Sequence, residues 1–191
     1  MSVKKITAQE ANTTLWSGGA TTEYFVYPPQ ASYAKRDFEI RISSATVEES
    51  PSTFTSLPGY HRLLMPLDAP MNLTFAGERE VLLKPLESTS FDGGIETISQ
   101  GTCTDFGVML SEKWQGQLVA LTEGTYPLGP GFSFVYAVEH GGTISWNAAE
   151  QKGTEKLEKG DFILFADEIG EIHLTLEAGK MVVAGRIIKK A

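Results

Sequence analysis

Three charged side chains lie inside apolar stretches of the sequence, where a surface charge is not expected. Arg41 has a mid-strand position with Ser43 two residues on, Arg62 precedes Leu63, and Asp105 opens an apolar stretch. Guanidinium groups carry rigid, paired donors that suit a carboxylate. If these strand faces point into a barrel, the residues form a pocket for a small anion.

Two structural arrangements account for the same residues without a ligand. In one, Arg41 pairs with Glu39 or Glu48 on a solvated strand face. In the other, Arg62 and Asp105 form an internal salt bridge. The strand pattern alone does not decide between these arrangements and a pocket.

Trp16 begins a second polar region, in which Gly18 and Gly19 are followed by residues with hydroxyl side chains. Glycine lets a backbone approach a ligand or another strand closely, and a neighbouring tryptophan offers an apolar wall. The region supports a pocket with Trp16 as one wall. The alternative is a tryptophan that anchors the core beside a glycine turn or bulge.

Metal and nucleophilic chemistry have little support in the sequence. Metal-binding histidines recur at short spacings that let their rings converge, whereas His61, His140 and His173 lie in separate contexts. Cys103 has no base nearby and is interpreted as a buried structural residue. No Gly-x-Ser-x-Gly elbow and no glycine-rich phosphate loop occurs. We therefore expect no metal and no cofactor.

The composition narrows the partners and the compartment. The 191 residues carry a net charge of -8, and a surface of that sign repels the phosphates of nucleic acids. No window approaches the ~18 apolar residues of a membrane-spanning helix. The single cysteine fits a reducing compartment. The sequence predicts a cytoplasmic protein that binds neither nucleic acid nor membranes.

Apolar and polar residues alternate in several segments, as they do in β-strands. Ile40 and Ile42 share one face of a strand, while Arg41 and Ser43 share the other. Pairs of glycine and proline separate such segments. The pattern predicts a mainly antiparallel all-β protein with few short helices. The helix candidates are residues 7–11 and residues 105–116, the latter with a strand and loop as its alternative.

A weak internal duplication sets the expected architecture. Residues 83–92 align with residues 157–166, which predicts two successive β units of similar build; chance matching of apolar positions is the alternative. Gly160-Asp161 forms a turn into an apolar strand, as is typical of cupin-type barrels. We predict a cupin-like double β-barrel, or bicupin, of jelly-roll type. A single larger β-sandwich is the second choice. The two barrels are expected at about residues 1–115 and 116–191, packed as one unit.

An ordered set of motifs between residues 15 and 110 resembles the HutD/Ves family of bicupins. Beyond residue 110 the similarity lies only in length and strand pattern. The motifs are Trp16-Ser17-Gly18-Gly19 with Thr21 and Glu23, Tyr27-Pro28-Pro29, the stretch from Arg36 to Val47, the stretch from Phe54 to Arg62, Phe91-Asp92-Gly93, and Asp105-Phe106-Gly107-Val108-Met109.

The resemblance implies a metal-free bicupin that binds a small carboxylate metabolite and has no established catalytic activity. For one branch it implies formylglutamate or urocanate as ligand, in the regulation of histidine utilisation; another branch is linked to environmental stress. Carried over residue by residue, it places Arg41 and Arg62 as carboxylate clamps, Trp16 as a wall, and Ser43 and Asp105 as polar orienters.

The sequence departs from the family pattern at two places, and other functions stay open. Gly107 stands where the family carries an asparagine, and the turn at residues 65–70 lacks the family's glycine. One alternative is a metal-free isomerase or hydrolase with Asp105 or His61 as general base. Another is a stress-related protein-interaction module. The sequence does not decide the oligomeric state, and a homodimer is kept as an alternative.

Overall fold

The computed structural model describes residues Ser2–Ala148 and Gln151–Ala191. Over these ranges the chain forms strands and turns, with no helix. None of the described residues therefore forms a helix that is long and apolar enough to cross a membrane. The strands of the first half are β1 (Ser2–Ile6), β2 (Asn12–Trp16), β3 (Gly19–Tyr27), β4 (Ile40–Val47), β5 (Ser52–Thr53), β6 (Tyr60–Pro66), β7 (Met71–Phe75), β8 (Arg79–Leu83), β9 (Thr89–Asp92) and β10 (Thr97–Gln100). Those of the second half are β11 (Cys103–Ser111), β12 (Trp114–Leu121), β13 (Gly124–Leu128), β14 (Phe132–Ala137), β15 (Gly142–Ala148), β16 (Lys152–Leu157), β17 (Phe162–Ala166), β18 (Gly170–Leu176) and β19 (Val182–Lys189).

The chain divides into two compact units. The N-terminal barrel comprises Ala11–Leu118 with Lys190, and the C-terminal barrel comprises Met1–Glu10 and Val119–Lys189 with Ala191. The boundary expected near residue 115 falls within β12, in which the chain passes from one unit to the other. The first strand belongs to the C-terminal barrel and not to the N-terminal one, because β1 pairs with β17.

Two antiparallel sheets build the N-terminal barrel. One has the order β2-β3-β4-β11-β6-β9 and the other β5-β10-β7-β8. Their inner faces share one apolar cluster, since every second residue of a strand faces the same side. The buried members of this cluster are Leu64, Met71, Leu73, Phe75, Leu83, Phe91 and Cys103. The cysteine predicted to be buried and structural lies in it.

The C-terminal barrel repeats this arrangement. Its sheets have the orders β1-β17-β14-β19-β12 and β13-β18-β15-β16. The order β9-β6-β11-β4 of the N-terminal barrel thus corresponds to β17-β14-β19-β12. Leu83 and Leu157 end corresponding strands, and Phe91 and Phe165 lie in another corresponding pair. The structure confirms the all-β, cupin-like double-barrel fold and the duplication that the sequence predicted.

Neither helix candidate forms a helix. Thr7 starts a turn in which its backbone N–H and its Oγ1 both donate to Glu10 Oε2, at 3.0 and 2.9 Å. Asp105 to Gly116 belongs to β11, a tight turn and β12, so the strand-and-loop alternative was correct. The local pattern of this second segment was ambiguous, and its pairing with β4 and β6 on either side settles it as a strand.

Candidate functional site

Strand β11 brings the predicted polar residues onto one face of the larger N-terminal sheet. Met109 of β11 lies directly opposite Arg41 of β4 and Arg62 of β6. Directly opposed residues in antiparallel strands point to the same side of the sheet. Ser43 and Asp105 lie at even spacings from these residues and share that side. Arg62 is also opposite Phe91, a member of the inner cluster, so this side is the barrel interior.

Arg41 is held inside the barrel by one carboxylate, one hydroxyl and one ring. It is only 7% exposed, and its Nε donates to Glu23 Oε2 at 2.7 Å. Its Nη1 donates to Ser43 Oγ at 3.2 Å, and the guanidinium carbon lies 4.5 Å from the centre of the Tyr33 ring. The alternative in which Arg41 pairs with Glu39 or Glu48 on a solvated face is not observed, because Arg41 pairs with Glu23 and both faces of β4 are buried here.

Arg62 is buried as deeply, with fewer partners. It is 5% exposed. Its Nη2 donates to the carbonyl of Thr55, and its guanidinium carbon lies 5.3 Å from the centre of the Phe54 ring. Its Nε has no hydrogen-bond partner. Burial and the neighbouring Arg41 both lower the pKa of Arg62, while Asp105 acts in the opposite direction.

Asp105 is a buried carboxyl group close to these guanidinium groups. It is 5% exposed, and no residue in the described ranges forms an ion pair or a side-chain hydrogen bond with it. The direct Arg62–Asp105 salt bridge considered above is therefore not formed. Burial raises the pKa of Asp105 to about 7, with a further increase from Asp68 and a decrease from Arg62. The group titrates near neutral pH.

Gly107 lies between the polar residues on the central strand. It is opposite Ser43 on one side and Leu64 on the other. A Cβ atom placed on it would come no closer than 3.9 Å to Leu64 Cδ1 or to the backbone oxygen of Ser43, which is ordinary van der Waals contact. A methyl group therefore fits at this position, between the rows that carry Asp105 and Arg62.

Trp16 is not brought to this group. It lies on β2, opposite Gly19, which in turn is opposite Val47 at the far end of β4 from Arg41. Its ring is 40% exposed and covers Gly18, where an added Cβ would lie 2.3 Å from the ring carbon Cζ3. Its role as a wall of the pocket stays a prediction, and its observed contact is with its own glycine turn.

Sequence reasoning missed three residues that complete the group: Glu23, Tyr33 and Phe54. Glu23 pairs with Arg41 across the β3–β4 ladder. Tyr33 and Phe54 lie in the segments that follow β3 and β5, and each ring packs on one guanidinium. A strand that carries one carboxylate among threonines and aromatic residues was the available signal for Glu23. The two loop aromatics had none, because nothing local shows which loop folds over a barrel.

The histidines lie apart from this group. His140 Nδ1 is 2.5 Å from Glu158 Oε2, and His173 Nδ1 is 2.9 Å from Thr125 Oγ1, both in the C-terminal barrel. His61 lies on β6 but is exposed, beside the buried Arg62. Within the described ranges, no three His, Cys, Asp or Glu side chains converge in a way that could hold a metal ion.

Burial also sets the chemistry of Cys103. Cys103 lies two residues before Asp105 on β11, so the two side chains face the same side of the sheet. Burial raises the pKa of Cys103 to about 12, with further increases from Asp105 and Asp68. The thiolate, which is the reactive form, is therefore disfavoured at neutral pH. The buried group contains two guanidinium donors, a serine hydroxyl and a titratable carboxyl group on one inner face of the sheet. Such a set of side chains is suited to holding a small anion.

The chain is similar to known proteins over nearly its whole length. The sequence profile of the HutD family matches residues 8–184. A conserved protein of unknown function from Pseudomonas aeruginosa PAO1 is 20% identical, with 98% of this chain and 99% of that chain covered at a TM-score of 0.83. HutD from Pseudomonas fluorescens SBW25, solved in a formate condition, is 20% identical, with both chains fully covered at a TM-score of 0.77.

More distant cupins share the fold. Oxalate decarboxylase from Bacillus subtilis is 9% identical, with 97% of this chain and 77% of that chain covered at a TM-score of 0.66. A search of curated protein sequences finds no significant match. At these identities the structural similarities establish the cupin architecture, and the family profile establishes the lineage.

Proposed function

This chain belongs to the HutD family, and from that premise we propose that it binds a small carboxylate metabolite between Arg41 and Arg62 in a regulatory or sensing role. Formylglutamate and urocanate are the metabolites that the family resemblance implies. The proposal treats the N-terminal barrel as the binding unit. Ser43 and Asp105 orient the ligand, and the guanidinium groups hold its carboxylate.

The observation that supports this proposal most directly is an unbalanced buried charge. Arg41 has Glu23 as its counter-ion at 2.7 Å. Arg62 is as deeply buried, and among the described residues no carboxylate lies within 4 Å of it. An uncompensated buried charge is destabilising by several kcal/mol. A bound carboxylate would supply the missing counter-ion and accept from the planar guanidinium fork.

Ligand-induced stabilisation tests the proposal. The probes are formate, oxalate, urocanate and N-formylglutamate, which span the smallest carboxylates and the two implied metabolites. A ligand at about 100 times its Kd should stabilise the wild-type protein by about 2.7 kcal/mol in thermal denaturation. Isothermal titration calorimetry then gives the affinity. No stabilisation by any of the four probes would contradict the proposal.

Variants locate the site. Arg41→Ala should lower the affinity by about 2–5 kcal/mol, because truncating one partner of a buried charged contact costs that much. Arg62→Lys keeps the charge but loses the planar fork, and we expect a smaller loss. Arg186→Ala is the matched control, since this arginine lies in the C-terminal barrel with its guanidinium against Gly129. Equal affinities in wild type and Arg41→Ala would place the ligand elsewhere.

A second function is favoured by one observation. The carboxyl group of Asp105 has a pKa near the value that suits a general acid or base at neutral pH. A metal-free isomerase or hydrolase acting on the bound carboxylate is therefore the alternative. NMR of N-formylglutamate and urocanate incubated with the protein tests it. Conversion that is lost in Asp105→Asn supports an enzyme, and unchanged ligands after prolonged incubation reject it.

A further inference from the structure

We propose, on the basis of the proposed function, that the site binds its carboxylate together with one proton, which is held on the side chain of Asp105. The bound species is then a carboxylate plus a proton, and the affinity for the ligand depends on pH. The proposal concerns the regulation of the same site and makes Asp105 a donor to the ligand.

The charge count of the buried group leads to this proposal. Arg41 and Arg62 contribute two positive charges, and Glu23 contributes one negative charge. With a neutral Asp105 the group carries one net positive charge, which a single carboxylate neutralises. With an ionised Asp105 the group is already neutral, and a bound carboxylate would leave a net negative charge inside the barrel, which is unfavourable.

The position of Asp105 allows it to act as a donor. Its ladder neighbours are Ala45 and Pro66, which offer no side-chain partner. Gly107, where an added Cβ would meet only ordinary contacts, lies next to it on the same face of β11. A neutral carboxyl group has one O–H donor, and a donor of this kind shortens and strengthens a hydrogen bond to a carboxylate. An ionised Asp105 would accept only and repel the ligand.

None of the other titratable groups described around Asp105 is expected to take up the proton when the ligand binds. Guanidinium groups do not give up a proton in proteins. Cys103, on the same strand, has a pKa raised to about 12 by burial and stays a thiol. Asp68 follows β6 and accepts the backbone N–H of Thr104 at 2.7 Å.

Glu23, on β3, is ion-paired with Arg41, and the Tyr33 ring packs on the same guanidinium. Tyr60 and His61 are the other titratable groups on β6. The Tyr60 hydroxyl donates to the carbonyls of Arg36 and Phe38, and His61 is exposed on the other side of the strand. Burial raises the pKa of Asp105 to about 7, so this carboxyl group is the one that gains a proton when an anion arrives at pH 8.

Calorimetry on the wild-type protein tests the inference directly. N-formylglutamate is titrated at pH 8 and at pH 5.5, each in two buffers of different ionisation enthalpy, with formate as a second probe. The difference in heat between buffers gives the number of protons taken up. We expect nearly one proton at pH 8 and nearly none at pH 5.5, where Asp105 is already neutral. The affinity should fall about tenfold per pH unit above pH 7.

Two variants assign the proton. Asp105→Asn should bind with no proton uptake and an affinity independent of pH, since its amide is a permanent donor. His61→Gln should behave like the wild type. Binding without uptake at pH 8 in the wild type, or uptake that persists in Asp105→Asn, overturns this inference and leaves the proposed function standing. No binding at either pH overturns both. The wild-type measurement decides the matter even if Asp105→Asn does not fold.

Discussion

Arg62 in the N-terminal barrel and Ser133 in the C-terminal barrel occupy the same place in corresponding ladders. Each of the two residues is paired with a phenylalanine of one neighbouring strand and with a residue of the other neighbouring strand that has a long side chain. These neighbours are Phe91 and Met109 for Arg62, and Phe165 and Arg186 for Ser133. A guanidinium therefore lies on β6 in the N-terminal barrel and on β19, the counterpart of β11, in the C-terminal barrel.

The next rows differ more strongly. Asp105 corresponds to Val182, and Gly107 corresponds to Ala184, counting along β11 and β19 from that shared row. In the C-terminal barrel both positions belong to an apolar cluster that also contains Val135. The C-terminal ladder thus folds with apolar residues at the positions of Asp105 and Gly107 and does not require a buried carboxyl group there. A carboxyl group that the ladder does not need, and whose burial is costly, supports the binding site proposed above.

The first test of the difference between the two barrels is the pH dependence of stability, for which we expect the largest effect. The folded-state pKa of Asp105 is about 7, above the ~3.9 of an unfolded aspartate. The folded state then holds a proton that the unfolded state has lost. The free energy of unfolding that this proton adds is fully present below pH 4. It is lost as pH rises to 7, at up to about 1.4 kcal/mol per pH unit.

Urea unfolding between pH 4 and pH 8 measures this slope. The Asp105→Asn variant should not lose stability in this way between pH 4 and pH 7. Asp161→Asn in the C-terminal barrel should still lose it, because Asp161 is ion-paired with Lys5 at 2.9 Å. A slope identical in wild type and Asp105→Asn would show that Asp105 is ionised throughout and that the buried group is neutral in charge.

The second test removes one carboxylate from each barrel. Glu23→Ala leaves Arg41 buried without its counter-ion, and we expect the free energy of unfolding to fall by about 3 kcal/mol. Glu155→Ala is the matched change, since Glu155 is a half-buried second partner of Lys5, and a loss below about 1 kcal/mol is expected. Urea unfolding at pH 7 compares the two.

The Glu23 variant should also bind carboxylates more tightly, because the group around Arg41 then carries one more positive charge. Lower stability with higher affinity is the combination that a binding site predicts. Equal stability losses in the two variants would contradict the prediction that the Arg41–Glu23 pair stabilises its barrel more than the Lys5–Glu155 pair stabilises the other.

The smallest expected effect comes from exchanging one corresponding pair. Gly107→Ala adds a Cβ with only ordinary contacts, so stability should rise by about 0.4–1 kcal/mol through the unfolded state. Ala184→Gly should lower it by about 0.5–1 kcal/mol, because this residue is buried in the C-terminal core. If the ligand lies against Gly107, the added methyl group of Gly107→Ala also weakens binding. Thermal denaturation and calorimetry on both variants check these signs.

Much of the fold could be read from local pattern. The alternation at residues 71–75 and 171–176 predicted β7 and most of β18, since period-two patterns depend only on neighbouring residues. The duplication predicted two corresponding ladders. The pattern failed at residues 105–116, where the apolar run suited a helix or a strand, and at the first strand, whose partner β17 lies about 160 residues away in sequence.

The site could be predicted only in its strand residues. Arg41, Ser43, Arg62 and Asp105 stood out because they are polar within apolar stretches, and the structure places all four on one inner face. Glu23 was not predicted as a site residue, because its pairing with Arg41 depends on the ladder between β3 and β4. Trp16 stood out for its neighbours, yet the ladder places it away from the four.

The strand content, the two repeats, the HutD resemblance and the arginines in apolar stretches could all be read from the sequence, because these are properties of neighbouring residues. The folded structure was needed to show that the polar face of β4 points inward and that Arg41 has a counter-ion. It was also needed to show that, in the part of the chain that the structure describes, the buried Arg62 and Asp105 have no ion-pair partner. These facts depend on distances between segments far apart in the chain, and burial and charge act through such distances.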